Sequence, residues 1–463
     1  MRSSRSFPAT RSVATVASGM LVAEAYMKMT GETYERLRAE LEELPLVDCH
    51  EHHIARTKTT DIMRLIGAQY HGHDFASAVG TEAFGRIMNA DLSLEERWPE
   101  FERAWLATRH TGYGRGTRYG LAYVFGSDEV TLERLKEWQE RIPDYSDPDT
   151  FEKPIADAKI RARVTDNWPP LSGIMDGSYE PLPRQHLAIS LPQFHNLTRR
   201  GDLAKTEEAV GSRVTSLEEY LDACRLIFER WRDAGAVCFK DQSAYTRRIA
   251  YSLATRAQAE ELFNALLANP RGALEWSERG NALSDYLMHA FMRIAREMDL
   301  PVQLHTGHMA GTWNDVAKAN AANLRTLLEV HRDVRFDLFH ANWPYAGDLL
   351  FLAKNYPNVS IDFCWAHQVD PVYSQRMLVQ SVASVPYTKI HGFGSDVGGD
   401  LPHLTWAYAK LARDGIASAL AELVDGGYLG PDDARELAVA WLYENPRAFF
   451  RLDLPPARVE GRA

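Results

Sequence analysis

Cysteine is scarce in this chain. The sequence holds four cysteines among 463 residues, at positions 49, 224, 238 and 364, and no two of them have the CxxC spacing. In a chain of this length, such usage excludes a disulfide framework and predicts reduced thiols. An excess of basic residues is also lacking, because 52 Lys and Arg stand against 63 Asp and Glu, for a net charge of −11. Without a basic stripe, the chain is a poor candidate for nucleic-acid binding.

Long hydrophobic runs are lacking as well. The apolar run at residues 13–23 is interrupted by Ser, Thr and Gly, and it is too short to span a membrane. We expect a cytoplasmic protein whose residues 1–30 form a flexible extension; a signal or transit peptide is the alternative. No internal repeat or low-complexity linker divides the rest, so residues 31–455 are predicted to form a single domain.

Eight short apolar runs alternate with helical stretches along the chain. They start near residues 46, 159, 186, 236, 301, 334, 359 and 389. Strands separated by helices form a parallel sheet, and eight such units favour closure, so the predicted fold is an α/β, (β/α)8 TIM-type barrel. A helical segment rich in aromatic residues, at about 59–145, follows the first run. We interpret it as an insertion that covers the barrel mouth.

Residues able to bind a metal stand at the ends of five of these runs. His50 and His52 follow the first run, and side chains two apart in a strand point to the same face. The other four are Lys240, His305, His340 and Asp396, at the ends of runs four, five, six and eight. All strand C-termini of a barrel meet at one face, so these six side chains are predicted to converge. Taken singly, each has a structural alternative, such as an ion-paired lysine or a helix-capping aspartate.

The order His-x-His, Lys, His, His, Asp resembles the amidohydrolase superfamily. Finer motifs resemble its amidohydrolase-related branch, which contains FluG-like proteins and relatives of uronate isomerases; they are KDQSAYTR at 240–247, VQLHTG at 302–307, LFHANWP at 338–344 and GSD at 394–396. The resemblance implies that His50 and His52 bind one metal and that His305 and His340 bind a second. It also implies that carboxylated Lys240 bridges the two metals and that Asp396 binds the first metal as catalytic acid/base. If Lys240 is unmodified, the site would hold a single metal and Lys240 would contact an anionic substrate.

The resemblance implies an enzyme that uses one or two divalent ions, zinc, iron or manganese. We expect a hydrolase that attacks a small molecule with a metal-activated hydroxide. The alternatives are a dinuclear non-haem iron or iron–manganese monooxygenase, a non-oxidative decarboxylase, a uronate-type isomerase and a catalytically silent barrel subunit. By analogy, the chain is expected to form a homo-oligomer or to assemble with a related barrel subunit.

Residues in the loops after strands four to seven are candidates for substrate binding. Arg247 could bind a substrate carboxylate with two parallel hydrogen bonds. The other candidates are Tyr245, His308, Trp343 and His367. Two further histidines are expected to lie outside the site: His53 faces away by strand alternation, and His391 packs in the barrel wall.

Overall fold

The computed structural model describes residues 31–54, 58–67 and 69–457. The predicted extension at 1–30 lies outside the described residues. Within the described part of the chain, no helix is both long and apolar enough to cross a membrane.

Eight parallel strands form one sheet in chain order. They are β1 (Leu46–Glu51), β2 (Ile160–Thr165), β3 (Gln185–Ser190), β4 (Ala236–Asp241), β5 (Val302–Leu304), β6 (Phe336–Leu338), β7 (Val359–Asp362) and β8 (Ile390–His391). The segment after β8 returns to β1, where the Cys49 N–H donates to the Phe393 carbonyl (3.1 Å) and the Asp396 N–H donates to the His50 carbonyl (2.8 Å). The predicted (β/α)8 barrel and its eight strands are confirmed.

Helices surround the strands and connect them. The helix before β1 is Glu32–Glu43, and those between β1 and β2 are Ile62–Gly67, His71–Val79, Thr81–Ile87, Leu94–Thr108, Gly112–Phe125, Leu132–Gln139 and Pro148–Asp157. Those between β2 and β5 are Leu171–Asp176, Pro192–His195, Ala204–Val210, Leu217–Asp233, Arg256–Ala268 and Ala282–Met298. Those after β5 are Arg325–Val330, Ala346–Asn355, Ala366–Val369, Pro371–Ser384, Pro402–Asp425, Pro431–Val439 and Asn445–Phe449. The described helices between β1 and β2 fill the interval in which the sequence predicts an insertion.

The inserted helix Gly112–Phe125 packs closely on the barrel. A Cβ at Gly112 would collide with the Gln368 carbonyl, and one at Gly116 would collide with the Tyr408 ring. Glycine is therefore needed at both positions for this approach. The close contact places Tyr113, which lies between them, against Trp365, with ring centroids 6.4 Å apart.

The opposite end of the barrel is closed by apolar side chains. Small strand residues fill the interior there, and the C-terminal segment covers them; this cluster contains Val47, Cys49, Ala162, Val164, Ala188, Cys238, Tyr443, Phe450 and Leu452. Burial of this apolar surface stabilises the closed end and leaves the C-terminal ends of the strands for the site. All four cysteines are buried, and none of them is in a disulfide among the described residues.

Candidate metal centre

The strand-end residues converge on the Asp396 carboxylate. Asp396 Oδ1 lies 3.0 Å from His52 Nε2, and Asp396 Oδ2 lies 3.7 Å from His340 Nε2. His340 Nε2 in turn lies 3.2 Å from His305 Nδ1. The rings of His50 and His52 are 4.7 Å apart between centroids. The structure thus brings together five residues that come from four strands, as the barrel topology requires.

Lys240 joins the same centre from the end of β4. Its side chain is buried, and Nζ lies 3.4 Å from the centroid of the Phe339 ring, which itself contacts His50. Burial lowers the pKa of the Lys240 amine, although the nearby Asp396 and Asp166 carboxylates oppose this effect. A lowered pKa favours the neutral amine that carboxylation requires. Carboxylation of Lys240 remains a prediction.

The turn after β6 has an unusual backbone. His340, Ala341 and Asn342 all adopt left-handed conformations, with φ values of 58°, 48° and 53°. Such residues persist only where their surroundings fix them. Asn342 supplies this restraint, because its side chain accepts a hydrogen bond from the Ala321 N–H and donates one to the Tyr345 carbonyl, both at 2.9 Å. The turn therefore holds the His340 ring in place at the centre.

Three of the histidines are oriented by main-chain carbonyls. The acceptors are Asp166 O for His52 Nδ1 (2.6 Å), His308 O for His305 Nε2 (2.7 Å) and Cys364 O for His340 Nδ1 (2.9 Å). A carbonyl only accepts, so each of these nitrogens carries a proton. The other ring nitrogen of His305 and of His340 presents its lone pair, whereas that of His52 faces the Asp396 carboxylate at 3.0 Å. The lone pairs of His305 Nδ1 and His340 Nε2 then face each other.

This arrangement fits a divalent cation. Facing lone pairs repel each other unless a positive charge lies between them, and both ring nitrogens of buried His50 lack a hydrogen-bond partner among the described residues. Ligand atoms of His50, His52 and Asp396 lie within 4.8 Å of one another, and so do those of His340, Cys364 and Asp396. Imidazole and carboxylate donors suit zinc, iron and manganese.

The protonation of His52 and Asp396 is coupled. Burial lowers the pKa of His52, but the hydrogen bond to Asp396 and its charge outweigh this effect and raise the pKa to about 9. Burial likewise raises the pKa of Asp396, whereas His52, His340 and His50 together hold it well below its usual range. Asp396 is therefore ionised at neutral pH. A cation at the centre would displace the proton on His52.

Three of the five predicted substrate-binding residues lie on the β4 to β6 side of the centre, Tyr245 against His305, and His308 and Trp343 farther out. The Tyr245 ring lies 5.0 Å from the His305 ring, and Tyr245 Oη accepts a hydrogen bond from the Ala310 N–H at 3.0 Å. The His308 ring lies 5.4 Å from the Trp343 ring. These side chains form part of an aromatic wall on the β4 to β6 side of the centre.

The side chains of the other two predicted substrate-binding residues contact other parts of the protein and not the residues of the centre. Arg247 is fully buried and forms an ion pair with Asp285 at 2.6 Å, so its guanidinium holds the loop after β4. His367 Nε2 donates to the Gly392 carbonyl at 2.9 Å, and its ring packs against Gly415 of helix Pro402–Asp425. Both side chains are used in packing. His53 also faces away, with Nδ1 2.7 Å from the Gly399 carbonyl, and His391 is buried beside Asp337 at 2.9 Å.

Two tyrosines from the insertion reach the centre without any signal in the sequence. The Tyr70 hydroxyl donates to the Asp396 main-chain carbonyl at 2.7 Å and lies 3.3 Å from Asp396 Oδ1. The Tyr113 hydroxyl lies 3.2 Å from His308 Nε2. The insertion therefore supplies side chains to the centre as well as covering it.

Asp166 is a site residue that the strand-end rule could have identified, because it directly follows β2. Its side chain is buried, and neither carboxylate oxygen has a hydrogen-bond partner within 3.5 Å in the described part of the chain. Burial raises the pKa of this carboxyl to about 6, against the opposing charges of His52 and Lys240. Its neighbour Trp168 stacks on the His52 ring, with centroids 5.2 Å apart, and lines a cavity of about 540 Å³.

Comparison with known proteins identifies the family of this chain. A family model described as Amidohydrolase matches residues 155–452, more than half of the chain. The protein fluG of Emericella nidulans is 26% identical over 210 residues, which are 43% of this chain and 23% of fluG, so the chain spans about a quarter of that relative.

Two further relatives match over most of their length. A uronate isomerase of Thermotoga petrophila is 23% identical over 477 residues, 93% of this chain and all of that protein. The crystal structure of uronate isomerase from Thermotoga maritima superposes with a TM-score of 0.74 at 18% identity and covers 91% of this chain and 98% of that one. The chain therefore belongs to the amidohydrolase superfamily and is similar to its uronate isomerase and FluG-like members.

Proposed function

We propose that this protein is a metal-dependent hydrolase of the amidohydrolase superfamily that acts on a small molecule, with Asp396 as acid/base. The observation that carries the proposal is the position of Asp396, whose carboxylate is shared between the group of His50 and His52 and the group of His340. A buried carboxylate shared between two groups of imidazole donors is suited to both metal binding and proton transfer.

The residues at the centre have separate tasks. His50, His52, His305 and His340 would hold the metal, with Asp396 between the two groups and Lys240 beside them. A bound divalent cation supplies Lewis acidity, which polarises a carbonyl oxygen and lowers the pKa of water. Asp396 is ionised, so its carboxylate accepts the proton of the attacking water and returns it to the leaving group. The Tyr70 hydroxyl donates to the main-chain carbonyl of Asp396 and so holds the backbone of this residue in place.

The walls of the centre indicate a substrate with an apolar part. The Tyr70 ring lies tilted against Trp365 with centroids 4.3 Å apart, and the His308 ring lies 4.7 Å from the same indole. On the other side, half-exposed Trp168 covers the His52 ring. Aromatic walls bind flat or apolar groups, while a few polar groups fix their orientation.

Isomerisation of a uronate is the second candidate, because uronate isomerases match nearly the whole chain. A uronate carries a carboxylate, which arginine recognises best. Of the two arginines after β4, Arg247 is held in a buried ion pair with Asp285 (2.6 Å), and Arg248 lies beside Glu278 at the partly exposed surface of the loop. We therefore rank hydrolysis first.

The test is turnover in ¹⁸O-labelled water. Chelator-stripped protein is reconstituted with zinc, iron(II) or manganese and incubated with a panel of small amides, esters, lactones and uronates. Wild type and the Asp144→Asn control, an exposed acid in the insertion, are expected to give products with one ¹⁸O. Asp396→Asn is expected to be slower by about 10²–10⁴-fold, the usual contribution of a general acid or base.

Two results would contradict the proposal. Full activity of the stripped protein would exclude a metal-dependent reaction. Conversion of a uronate to an isomer of the same elemental composition, without hydrolysis of any other compound, would establish the second candidate instead.

A further inference from the structure

No metal ligand was predicted from the sequence at the end of β7. Cys364 lies two residues beyond it and is fully buried. Its Sγ lies within 4.8 Å of a ligand nitrogen of His340 and of a carboxylate oxygen of Asp396. The thiol thus stands at the same face of the barrel as the histidines, beside the second of the two groups that share Asp396.

The chain makes specific room for this side chain. A Cβ at Gly394 would lie 2.6 Å from Cys364 Cβ and 2.7 Å from Cys364 Sγ, so only glycine allows the thiol to lie there. The main chain is also fixed, because the Cys364 N–H donates to Asp362 Oδ1 at 2.7 Å. The next residue, Trp365, is left-handed with a φ of 63°. The Sγ position is therefore set by the fold.

Two observations at the centre indicate a cation, one of them at His340, which belongs to the same group as Cys364. The Nδ1–H of His340 donates to the Cys364 carbonyl, so His340 Nε2 presents its lone pair towards His305 Nδ1. These two nitrogens are 3.2 Å apart. Buried His50 has both ring nitrogens without a partner among the described residues. Among the described residues, the Cys364 thiol makes one long hydrogen bond, from Sγ to the His50 carbonyl at 3.9 Å.

We propose that Cys364 is a thiolate ligand of the cation bound by His340 and Asp396. The inference rests on the metal centre of the proposed function and adds a sulfur donor to it. On binding, the S–H bond breaks, an S–metal bond forms and one proton leaves to solvent, with no change of oxidation state. A set of nitrogen, oxygen and sulfur donors favours zinc or iron over manganese, because thiolate is a soft ligand.

Cobalt(II) substitution tests the sulfur ligand directly. Wild type, Cys364→Ser and the control Cys224→Ser, whose cysteine lies in helix Leu217–Asp233 outside the barrel, are loaded with cobalt(II) and their absorption spectra recorded. We expect a near-ultraviolet thiolate-to-cobalt charge-transfer band in wild type and Cys224→Ser and its loss in Cys364→Ser. The visible d–d bands, which report cobalt binding itself, are expected in all three proteins.

A second measurement needs no variant. X-ray absorption of the zinc-loaded wild-type protein is expected to show one sulfur scatterer at about 2.3 Å, the usual Zn–S distance. Visible bands without a charge-transfer band in wild type, or zinc surrounded by nitrogen and oxygen only, would overturn the thiolate and leave the proposed hydrolase intact. Absence of the visible bands in wild type would overturn both, whereas a sulfur-bound metal without hydrolysis would contradict the proposed function alone.

Discussion

Arg247 is the residue on which sequence and structure differ most, and the difference predicts a stability effect. Its guanidinium is fully buried and donates to Asp285 Oδ1 (2.6 Å), Ser284 Oγ (2.9 Å) and the Ala250 carbonyl (3.2 Å). Removing one partner of a buried ion pair leaves an unpaired buried charge and costs about 3–5 kcal/mol. We expect Arg247→Met, which keeps the apolar length of the side chain, to lower the free energy of unfolding by that amount.

The neighbouring arginine provides a matched control. Arg248 pairs with Glu278, but the two side chains are 26% and 51% exposed. Pairs of this kind contribute about 0–1 kcal/mol, so Arg248→Met is expected to unfold almost as wild type does. Adding Asp285→Asn to Arg247→Met removes the unpaired charge and is expected to recover part of the loss. Urea unfolding at neutral pH, followed by tryptophan fluorescence, measures all four proteins.

One outcome would refute this interpretation. If Arg247→Met unfolds as wild type does while KM for an anionic substrate rises, the guanidinium contacts substrate and not the loop. The sequence-based assignment of Arg247 to substrate binding would then stand.

Three further predictions concern the centre and the insertion. Tyr70→Phe removes the hydrogen bond to the Asp396 carbonyl and is expected to lower kcat about tenfold. The control Tyr123→Phe, which removes a hydrogen bond to exposed Asp157, is expected to keep the wild-type kcat. Equal kcat values for the two variants would contradict this prediction. Metal at 100 times its Kd is expected to add about 2.7 kcal/mol to stability, so a melting temperature unchanged by chelator would contradict the centre. Burial lowers the pKa of His71 to about 3. Since the unfolded chain binds this proton near pH 6.5, stability is expected to fall below that pH by about 1.4 kcal/mol per unit, and His71→Gln should have a shallower pH dependence in urea unfolding.

The strand-end rule identified the ligand candidates because each follows an apolar run in the sequence. His305 and His340 are predictable in this way, since a barrel places every strand C-terminus at one face. Asp166 follows β2 and Cys364 follows β7 in the same way. Neither was selected from the sequence, because a single aspartate or cysteine after a strand does not by itself indicate a ligand. The rule thus depends on the fold and not on distance along the chain.

Loop residues could not be assigned in the same way. Arg247 follows β4 as a substrate-binding arginine would, but its partner Asp285 lies 38 positions further along the chain. His367 follows β7, yet the short helix Ala366–Val369 turns its ring towards Gly392. Tyr70 reaches Asp396 only because the insertion folds back over the barrel. Such contacts depend on tertiary packing, which sequence periodicity does not encode.

The orientation of the histidines depends on the main chain. Three histidines each donate one ring N–H to a main-chain carbonyl; they are His52, His305 and His340. The residue that supplies the carbonyl can be of any type, because every residue has one. The fold alone therefore selects which nitrogen of each ring faces the candidate metal centre. Side chains around the centre can vary while this selection is kept. This is compatible with the low identity to a uronate isomerase, which is 23% over the full length of that protein. We expect specificity to depend on the insertion and the loops, which bring Tyr70, Tyr113 and Trp168 close to the centre.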